Sequence, residues 1–454
     1  MRWLCIEHEH RSISVLRSDK EGRVCVTPDF IHMRRGSYPE PETMTKHFQL
    51  GAKLFASLAA VSMLAIPASA QTVEEIFFDP AVAAGDIDEF AISPDGTQIV
   101  MVADLGDGDQ TYVASLNSGV MNTATLVSPA GVGDNDGGVA WTPDGLHVTA
   151  RYAAGGATNE IFLVPADGSQ TAQQLTFTGN NAFDPQISAD GNSFFYSDGG
   201  SLFVTPIAGA SATSSIQLNA GDISEIDTGS YAQVGSNIIF AGFSAPIPGA
   251  GNGDPETAFY LTAADGSTAA SPTLISIDNF ETNNPGGSDI DFVDVTSDGQ
   301  TIVFRGDLTT DDQDELYSLS INGGDAVSLI AGTLRDDFDL NYFTISPDGS
   351  TIAFIGDYLT NGVAEAFVVP VTGGDPTLVS DSSFFDQENG FDVDFGGVDT
   401  LQFSPDGNSL YYLSDSGDDG RFRLFRASIN AVPEPTALPL ILAAASTILF
   451  RRRK

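Results

Sequence analysis

The chain is poor in cysteine and histidine, and its repeated region has almost none. Both cysteines, Cys5 and Cys25, stand within the first 43 residues, and His147 is the one histidine after residue 70. After residue 70 there can be no disulfide, no zinc site built from Cys and His, and no cysteine nucleophile. A Ser-His-Asp triad would have to use His147, and no Gly-x-Ser-x-Gly motif is present. The sequence therefore favours a non-catalytic protein over an enzyme.

Basic residues are scarce as well. Residues 71–450 contain 54 acidic and 6 basic side chains, none of them lysine, which gives a net charge of −48. Such a surface repels phosphate backbones and anionic lipids, so nucleic acid is excluded as a partner and cations are favoured. Solubility in a salty medium explains the same charge equally well, and the sequence leaves both explanations open.

Helical periodicity is missing, and a turn of the form Ser/Thr-x-Asp-Gly recurs in its place. Its Asp residues are Asp95, Asp144, Asp190, Asp298, Asp348 and Asp406. Successive intervals are 49, 46, 108, 50 and 58 residues. The longest interval is about two periods, and residues 234–240 fit there as a copy that has lost its Asp. A period near 50 made of short strands and turns is typical of a β-propeller blade.

The strand count predicts an all-β, seven-bladed β-propeller of four-stranded blades. All seven units have a candidate third strand, but only six have a fourth, because the last unit ends at Ile429. Residues 73–78 form an unused strand-like run, Val-Glu-Glu-Ile-Phe-Phe. We expect this N-terminal run to complete the last blade, which removes an exposed sheet edge. The predicted domain spans residues 71–430 and is monomeric.

The Ser-Pro-Asp-Gly units resemble the WD40-like repeats of TolB-type propellers and of the propeller domains of some peptidases. The resemblance covers roughly residues 72–430. It implies the fold and no particular reaction, since propellers carry many unrelated functions.

The N-terminal 70 residues read as a targeting segment. Lys46 and Lys53 precede the apolar run 54–66, and Pro-Ala-Ser-Ala follows it. This pattern predicts a secretory signal peptide over residues 44–70, cleaved after Ala70. Residues 1–43 have a foreign composition and are interpreted as an over-extended start, with a genuine cytoplasmic leader as the alternative.

Residues 431–454 form a second targeting segment. Val-Pro-Glu-Pro at 432–435 precedes the apolar run 437–450 and the terminal Arg-Arg-Arg-Lys. The three parts resemble the PEP-CTERM sorting signal of Gram-negative bacteria. That resemblance implies an exosortase-type partner, transient anchoring in the inner membrane, and a product at the cell surface or in the extracellular matrix. A simple C-terminal membrane anchor is the alternative, although 14 apolar residues are short for a transmembrane helix.

Aspartates gather at one end of the predicted blades. Asp-x-Asp precedes the innermost strand in five units, and a second set, Asp104, Asp198, Asp307, Asp357 and Asp415, follows the inner hairpin. Both sets are expected on the face opposite the Asp-Gly turns, where oxygen ligands suit Ca²⁺. The predicted metal ligands are Asp86, Asp88, Asp134, Asp136, Asp289, Asp291, Asp337, Asp339, Asp392 and Asp394. Solvated, turn-capping aspartates are the alternative.

The sequence leaves three functional hypotheses. The first is an exported, non-catalytic propeller that acts as a binding or scaffolding module, with exopolysaccharide or a surface protein as its partner. The second is a calcium-dependent propeller hydrolase of the lactonase or phytase kind. The third is a structural protein with no specific ligand. Apart from a possible calcium ion, no cofactor is expected.

Overall fold

The computed structural model describes two separate units, Met1–Ala70 and Gln71–Lys454. In the first unit the described residues form one hairpin, β1 (Arg17–Ser18) paired with β2 (Val24–Cys25). In the second unit the described residues are 72–79, 86–104, 108–129, 135, 137–154, 158–169, 171–211, 213–219, 223, 226, 230–243, 257–269, 271–277, 290–308, 313–331, 334, 338, 340–360, 363–380, 401–415 and 421–429.

The second unit consists of seven four-stranded antiparallel sheets, which are the blades of a propeller. Blades 1 to 3 comprise β4 (Asp86–Ile92), β5 (Gln98–Asp104), β6 (Asp109–Ser115) and β7 (Ala124–Leu126); β8 (Ala140–Trp141), β9 (His147–Ala154), β10 (Thr158–Pro165) and β11 (Gln173–Gln174); β12 (Phe183–Ile187), β13 (Ser193–Asp198), β14 (Ser201–Pro206) and β15 (Ile216–Gln217). Blades 4 and 5 comprise β16 (Tyr231–Val234), β17 (Asn237–Phe243), β18 (Thr257–Ala263) and β19 (Thr273–Ile275); β20 (Ile290–Val295), β21 (Thr301–Gly306), β22 (Glu315–Ser320) and β23 (Val327–Ser328). Blades 6 and 7 comprise β24 (Leu340–Ile345), β25 (Thr351–Thr360), β26 (Val363–Pro370) and β27 (Thr377–Leu378); β28 (Leu401–Phe403), β29 (Ser409–Ser414), β30 (Arg423–Ser428) and β3 (Val73–Glu75).

The seven-bladed, all-β architecture is confirmed, and the described residues contain no helix. Blade 4 is the copy that lost its Asp, with Gly235 and Ser236 in the turn between its first two strands. The fourth strands are only two or three residues long, and β3 covers only the first half of the predicted run 73–78. Each has a single neighbour in its sheet and half-exposed side chains such as Val327, so little packing extends it.

The repeated turn is held by its Asp side chain. In blade 1, the Ser93 hydroxyl donates to Asp95 Oδ1 over 2.7 Å, and the Thr97 N–H donates to the same oxygen over 3.0 Å. Gly96 follows with φ +71°, which favours glycine. The same hydroxyl–carboxylate bond occurs in all six Asp-containing turns. In blade 5 its donor is Thr296.

The core lies between the blades. Buried side chains form seven clusters, one at each interface between neighbouring blades, the seventh joining blade 7 to blade 1. Second strands contribute most, because they are covered on both faces: Met101, Phe195, Phe240, Phe304 and Tyr412 are all fully buried. Apolar burial at every interface makes each blade depend on both of its neighbours.

The predicted closure by the N-terminal strand is confirmed. Strand β3 pairs with β30, with Val73 opposite Ala427. The Ser428 N–H donates to Thr72 O over 2.9 Å, and Arg426 Nη1 lies 3.3 Å from Glu74 Oε1. Strands from both ends of the domain therefore make up the last blade.

Neighbouring blades are also joined at their outer edges. A residue just after the fourth strand of one blade forms an isolated parallel β-bridge with the next blade. Its partner lies in the turn between the third and fourth strands of that blade. The pairs are Phe78 and Asn122, Ile277 and Gly324, and Ile330 and Gly374. Glycines permit the close approach at two of these turns, Gly323 in blade 5 and Gly373 in blade 6. A Cβ added to Gly323, whose φ is +80°, would lie 2.8 Å from Ser276 O.

Candidate functional site

The innermost strands of all seven blades surround a central channel that contains a cavity of about 840 Å³. Its lining follows the period of two along each strand, because alternate side chains point to the same side. The lining residues therefore lie at two levels. Each level is defined by its number of residues before the Ser or Thr of the repeated turn.

The upper ring lies four residues before that Ser or Thr, nearer the channel mouth opposite the Asp-Gly turns. Its described members are Glu89, Gly138, Asp184, Phe292 and Tyr342. The lower ring lies two residues before it, nearer the turns. Its described members are Ala91, Ala140, Gln186, Asp294, Thr344 and Gln402. The upper ring is thus acidic and aromatic, whereas Asp294 is the one charged member of the described lower ring.

β-Bulges shape the upper ring. The ladder between the first two strands is shifted at Asp88 in blade 1, between Phe183 and Gln186 in blade 3, at Phe292 in blade 5 and at Asn341 in blade 6. Asp184 and Phe292 have φ of 49° and 43°, and they are the non-glycine residues with positive φ in the described chain. Such strain concentrates where side chains are positioned for function.

Glu89 links blade 1 to blade 2 beneath the mouth. Its carboxylate is buried and accepts hydrogen bonds from the Gly138 and Val139 N–H groups, each over 2.8 Å. Burial raises the pKa of Glu89, while these amides and the Arg151 guanidinium oppose the rise. Gly137 has no Cβ, and one there would collide with Glu89 Oε2. The glycine pair therefore allows the carboxylate to reach the backbone.

Asp294 lies deeper and in a different environment. Its side chain is partly buried and lines the cavity. Burial raises the pKa of Asp294 to about 6, although the Val295 N–H donates to Oδ1 over 2.7 Å. The lower ring thus contains a carboxyl group that ionises at a higher pH than an ordinary aspartate and is mostly ionised at pH 7.5.

Two arginines stack on aromatic rings of the channel wall. Arg151 Cζ lies 4.7 Å from the centroid of the Phe183 ring, and Arg305 Cζ lies 4.9 Å from that of Phe292. Arg305 also donates to the carbonyls of Leu340 and Asn341 in blade 6. Both contacts have the geometry of a cation–π interaction.

Side chains of the innermost strands connect the blades around the channel. Trp141 Nε1 donates to Ala91 O over 2.9 Å, and Gln186 Nε2 donates to Tyr231 O over 2.8 Å. Gln402 Oε1 accepts the Ile92 N–H over 2.7 Å and so links blade 7 to blade 1. These bonds hold the channel wall together at three of the seven interfaces between blades: blades 1 and 2, blades 3 and 4, and blades 7 and 1.

The structure describes the side chains of two of the ten predicted metal ligands. Asp86 accepts the Phe422 N–H over 2.6 Å and so joins blade 1 to blade 7. Asp88 lines the cavity. The other eight side chains lie outside the described residues: Asp134, Asp136, Asp289, Asp291, Asp337, Asp339, Asp392 and Asp394. Within the described part of the chain, no three Asp, Glu, His or Cys side chains come together as a metal site.

The second aspartate set lies at the far end of the second strands, away from the Asp-Gly turns, as expected. Asp104 stands opposite both Asp86 and Asp109 in blade 1. Asp307 and Asp357 are buried. His147 begins β9 and is not among the residues that line the cavity.

Sequence reasoning missed Glu89, Arg151, Phe292 and Asp294. The sequence did contain a signal for Glu89, Phe292 and Asp294. They lie two or four positions before the Ser or Thr of a repeated turn, where residues alternate with core positions. Arg151 had no such signal, since its strand is otherwise a buried second strand.

Among the described residues, no helix is long and apolar enough to cross a bilayer. The run 437–450 lies outside those residues.

The fold and site define a seven-bladed propeller with a polar, aromatic channel, and comparisons with known proteins agree with that class. Residues 59–214 match the family model described as the lipoprotein LpqB beta-propeller domain. No curated protein matches.

Many solved structures are similar to this chain. A putative TolB from Agrobacterium tumefaciens is 17% identical, with a TM-score of 0.39, over 66% of this chain and 99% of that one. An oligogalacturonate lyase in complex with manganese is 13% identical, with a TM-score of 0.37, over 80% and 98%. A puromycin-hydrolyzing peptidase from Mycobacterium tuberculosis is 13% identical, with a TM-score of 0.53, over 78% of this chain and 55% of that one. At 13% identity, the likeness to the peptidase shows the fold alone.

Proposed function

We propose that this protein is an exported, non-catalytic binding module of the bacterial envelope, and that its ligand enters the channel cavity. The cavity itself is the observation that carries the proposal. It receives side chains from all seven blades, and it combines apolar walls with a few placed charges, as ligand sites do. Hydrogen bonds between neighbouring inner strands hold this wall before any ligand arrives.

The proposed location rests on the two predicted targeting segments. A signal peptide over 44–70 and a PEP-CTERM segment over 431–454 deliver it through an exosortase-type system to the surface or matrix of a Gram-negative cell. The match to a lipoprotein propeller domain supports an envelope location. The partner is exopolysaccharide or a surface protein of that compartment.

A blocked channel tests the binding role. Thr344→Trp places a large ring in the lower ring, while Val120→Trp places the same ring in an exposed turn of blade 1. We expect Thr344→Trp to abolish capture of the cell's own exopolysaccharide or surface proteins, and Val120→Trp to leave it intact. Equal capture by both variants contradicts the proposal, as does turnover of lactones, phosphate esters or glycosides in the presence of calcium.

Cell fractionation tests the location separately. The full chain should reach the cell surface or matrix, and a variant that lacks 432–454 should be lost from it. Surface localisation that is independent of these residues contradicts sorting by the C-terminal segment.

Calcium binding by the predicted aspartates is proposed as a supporting feature of the channel mouth. After chelation, millimolar Ca²⁺ should raise the melting temperature, and Asp88→Asn should reduce that rise because Asp88 lines the cavity. An unchanged melting temperature contradicts calcium binding and leaves the binding role to the other tests.

A further inference from the structure

The cavity is strongly biased towards positive ligands. Its described lining contains five carboxylates, those of Asp88, Glu89, Asp109, Asp184 and Asp294, against the single guanidinium of Arg151. Field lines from like charges concentrate in a cleft with low-dielectric walls, so the local concentration of cations rises and that of anions falls. An anionic ligand is therefore disfavoured.

Asp294 is the position in the cavity where a bound cation is most strongly favoured. It is the one charge in the described lower ring, where its neighbours around the channel include Ala140, Gln186 and Thr344. A carboxylate in such surroundings is destabilised when ionised, as its pKa of about 6 indicates. A bound cation removes that penalty by pairing with the charge, whereas a neutral ligand leaves it in place.

Aromatic rings add a second attraction for cations. Phe183 and Phe292 each stack against one of the protein's own guanidinium groups, at 4.7 and 4.9 Å. Tyr342 lies edge-on to Phe292, with ring centroids 5.6 Å apart. Rings in this setting favour positive charge and also pack against the CH groups of a ligand.

The charges lie at two depths. Glu89 and Asp184 belong to the upper ring and Asp294 to the lower, two residues further along the strands, which is about 7 Å. A compact ion cannot contact both levels at once. A linear molecule with several positive groups can contact both.

We infer that the channel binds a ligand carrying protonated primary amines along a linear backbone, with one ammonium group at Asp294 and another among the acidic and aromatic residues of the upper ring. This inference rests on the proposal that the channel is the binding site, and it names the chemistry of the ligand. Two sources have that chemistry, a linear polyamine and a glycan of free amino sugars.

Isothermal titration at pH 7.5 with spermidine, glucosamine trimer and N-acetylglucosamine trimer tests the inference. The acetylated trimer has the sugar backbone without the positive charges. We expect at least one of the two amines to bind at a single site, and the acetylated trimer to bind at least about tenfold more weakly than its free amine. Spermidine alone would identify the polyamine as the source, and the free trimer alone the amino sugar.

A matched pair of variants locates the site. Asp294→Asn should weaken amine binding about tenfold, because it removes the lower-ring charge. Asp265→Asn removes the same charge from an exposed turn of blade 4 and should change the affinity less than twofold. Equal weakening by both variants, or none by Asp294→Asn, overturns the inference.

The amine inference and the channel proposal fail in different ways. Equal binding of both trimers, blocked by Thr344→Trp, overturns the amine inference and leaves the channel as the binding site. Binding of neither amine also overturns the inference. Amine binding that survives Thr344→Trp overturns the channel proposal as well.

Discussion

Aspartates in this chain change their acidity in opposite directions according to where they lie. Those of the repeated turns accept hydrogen bonds from a hydroxyl and a backbone N–H in water, and these bonds lower their pKa. Asp190 and Asp406 also accept a bond from the side-chain amide of Asn192 or Asn408, and their pKa falls to about 2. Asp294 accepts one backbone bond inside the channel, where burial raises its pKa to about 6. The turn carboxylates therefore stabilise the fold when ionised, and the channel carboxylate destabilises it.

Replacing Asp294 should stabilise the protein at neutral pH. A raised carboxyl pKa does not lower the free energy of unfolding below pH 3.8. The loss grows between pH 3.8 and about 6 and is complete above that range. We expect Asp294→Asn to increase the free energy of unfolding by about 1 to 3 kcal/mol at pH 7.5, and to leave it nearly unchanged at pH 4. Urea unfolding at the two pH values measures this. A gain that is the same at both contradicts the assignment.

Replacing a turn aspartate should have the opposite pH profile. A lowered pKa contributes stability that is complete above 3.8 and is lost as the pH falls through about 2. Asp406→Ala removes the bonds from Ser404 and from the Asn408 backbone. Its melting temperature should be lower than that of the wild type at pH 7, and the difference should shrink towards pH 2. A difference that grows in acid would refute the role of the ionised carboxylate.

At this scale the sequence was informative about turns, whereas for the channel it indicated only which positions alternate with core positions. Ser/Thr-x-Asp-Gly encodes its own hydrogen bonds, so the hairpins could be predicted from local chemistry. The acidity of Asp294 depends on residues from other blades, which no local pattern contains. The predicted ligand Asp86 illustrates the same limit, because its partner Phe422 is distant in the chain.

Strands and turns of neighbouring blades fit together through glycines at the outer edge. Gly323 and Gly119 both lie between third and fourth strands with positive φ, at +80° and +69°. A side chain at Gly119 would meet nothing within 4 Å, whereas at Gly323 it would meet Ser276 O of blade 4. The two sites therefore separate backbone strain from the contact between blades.

Alanine at these two glycines should reveal that difference. Gly119→Ala should lower the free energy of unfolding by about 1 kcal/mol, because alanine is strained in the left-handed backbone conformation. Gly323→Ala should lower it by about 1 to 3 kcal/mol more, because blade 4 or blade 5 must move to relieve the overlap between the new Cβ and Ser276 O. Chemical denaturation of both variants measures the difference. Equal losses would show that the outer contact contributes nothing.

Element existence was predictable where the residues are strongly patterned, and element length was not. Second strands such as Thr351–Thr360 are rich in β-branched and aromatic residues and are buried on both faces. Fourth strands end after two or three residues, because pairing with a single neighbour is all that holds them. Bulges at Asp88 and Phe292 could not be predicted, since they arise from fitting the innermost strand to the channel.

The whole ring depends on one pairing, between β3 and β30. Val73 and Ala427 are opposite each other in that ladder. They lie between the hydrogen-bonded pairs, where side chains approach most closely. The variant Val73→Cys/Ala427→Cys should therefore form a disulfide, and the region has no other cysteine to compete.

Oxidation of this variant should stabilise the ring. The bond closes almost the entire domain into one loop, for which chain entropy predicts about 6 kcal/mol. We expect the oxidised protein to melt about 5 °C or more above the same protein after reduction. The reduced form is the matched control, and identical melting of the two forms would show that opening of the seam does not limit stability.

The global architecture was predictable because counting, rather than geometry, decides it. Seven turn motifs, one of them degenerate, and one missing outer strand were enough to place residues 73–78 in the last blade. The channel chemistry required the ring to be assembled first, since its rings of side chains take one residue from each blade.

Because the last blade contains strands from both ends of the domain, the ring can close only late in synthesis. Val73 is among the first residues of the domain to leave the ribosome, and its partner Ala427 is among the last. For nearly the whole of synthesis, blade 1 has no blade 7 to cover its apolar side, and β3 has no strand to join. The chain must therefore remain open, with that surface shielded by other means, until its final strand has emerged.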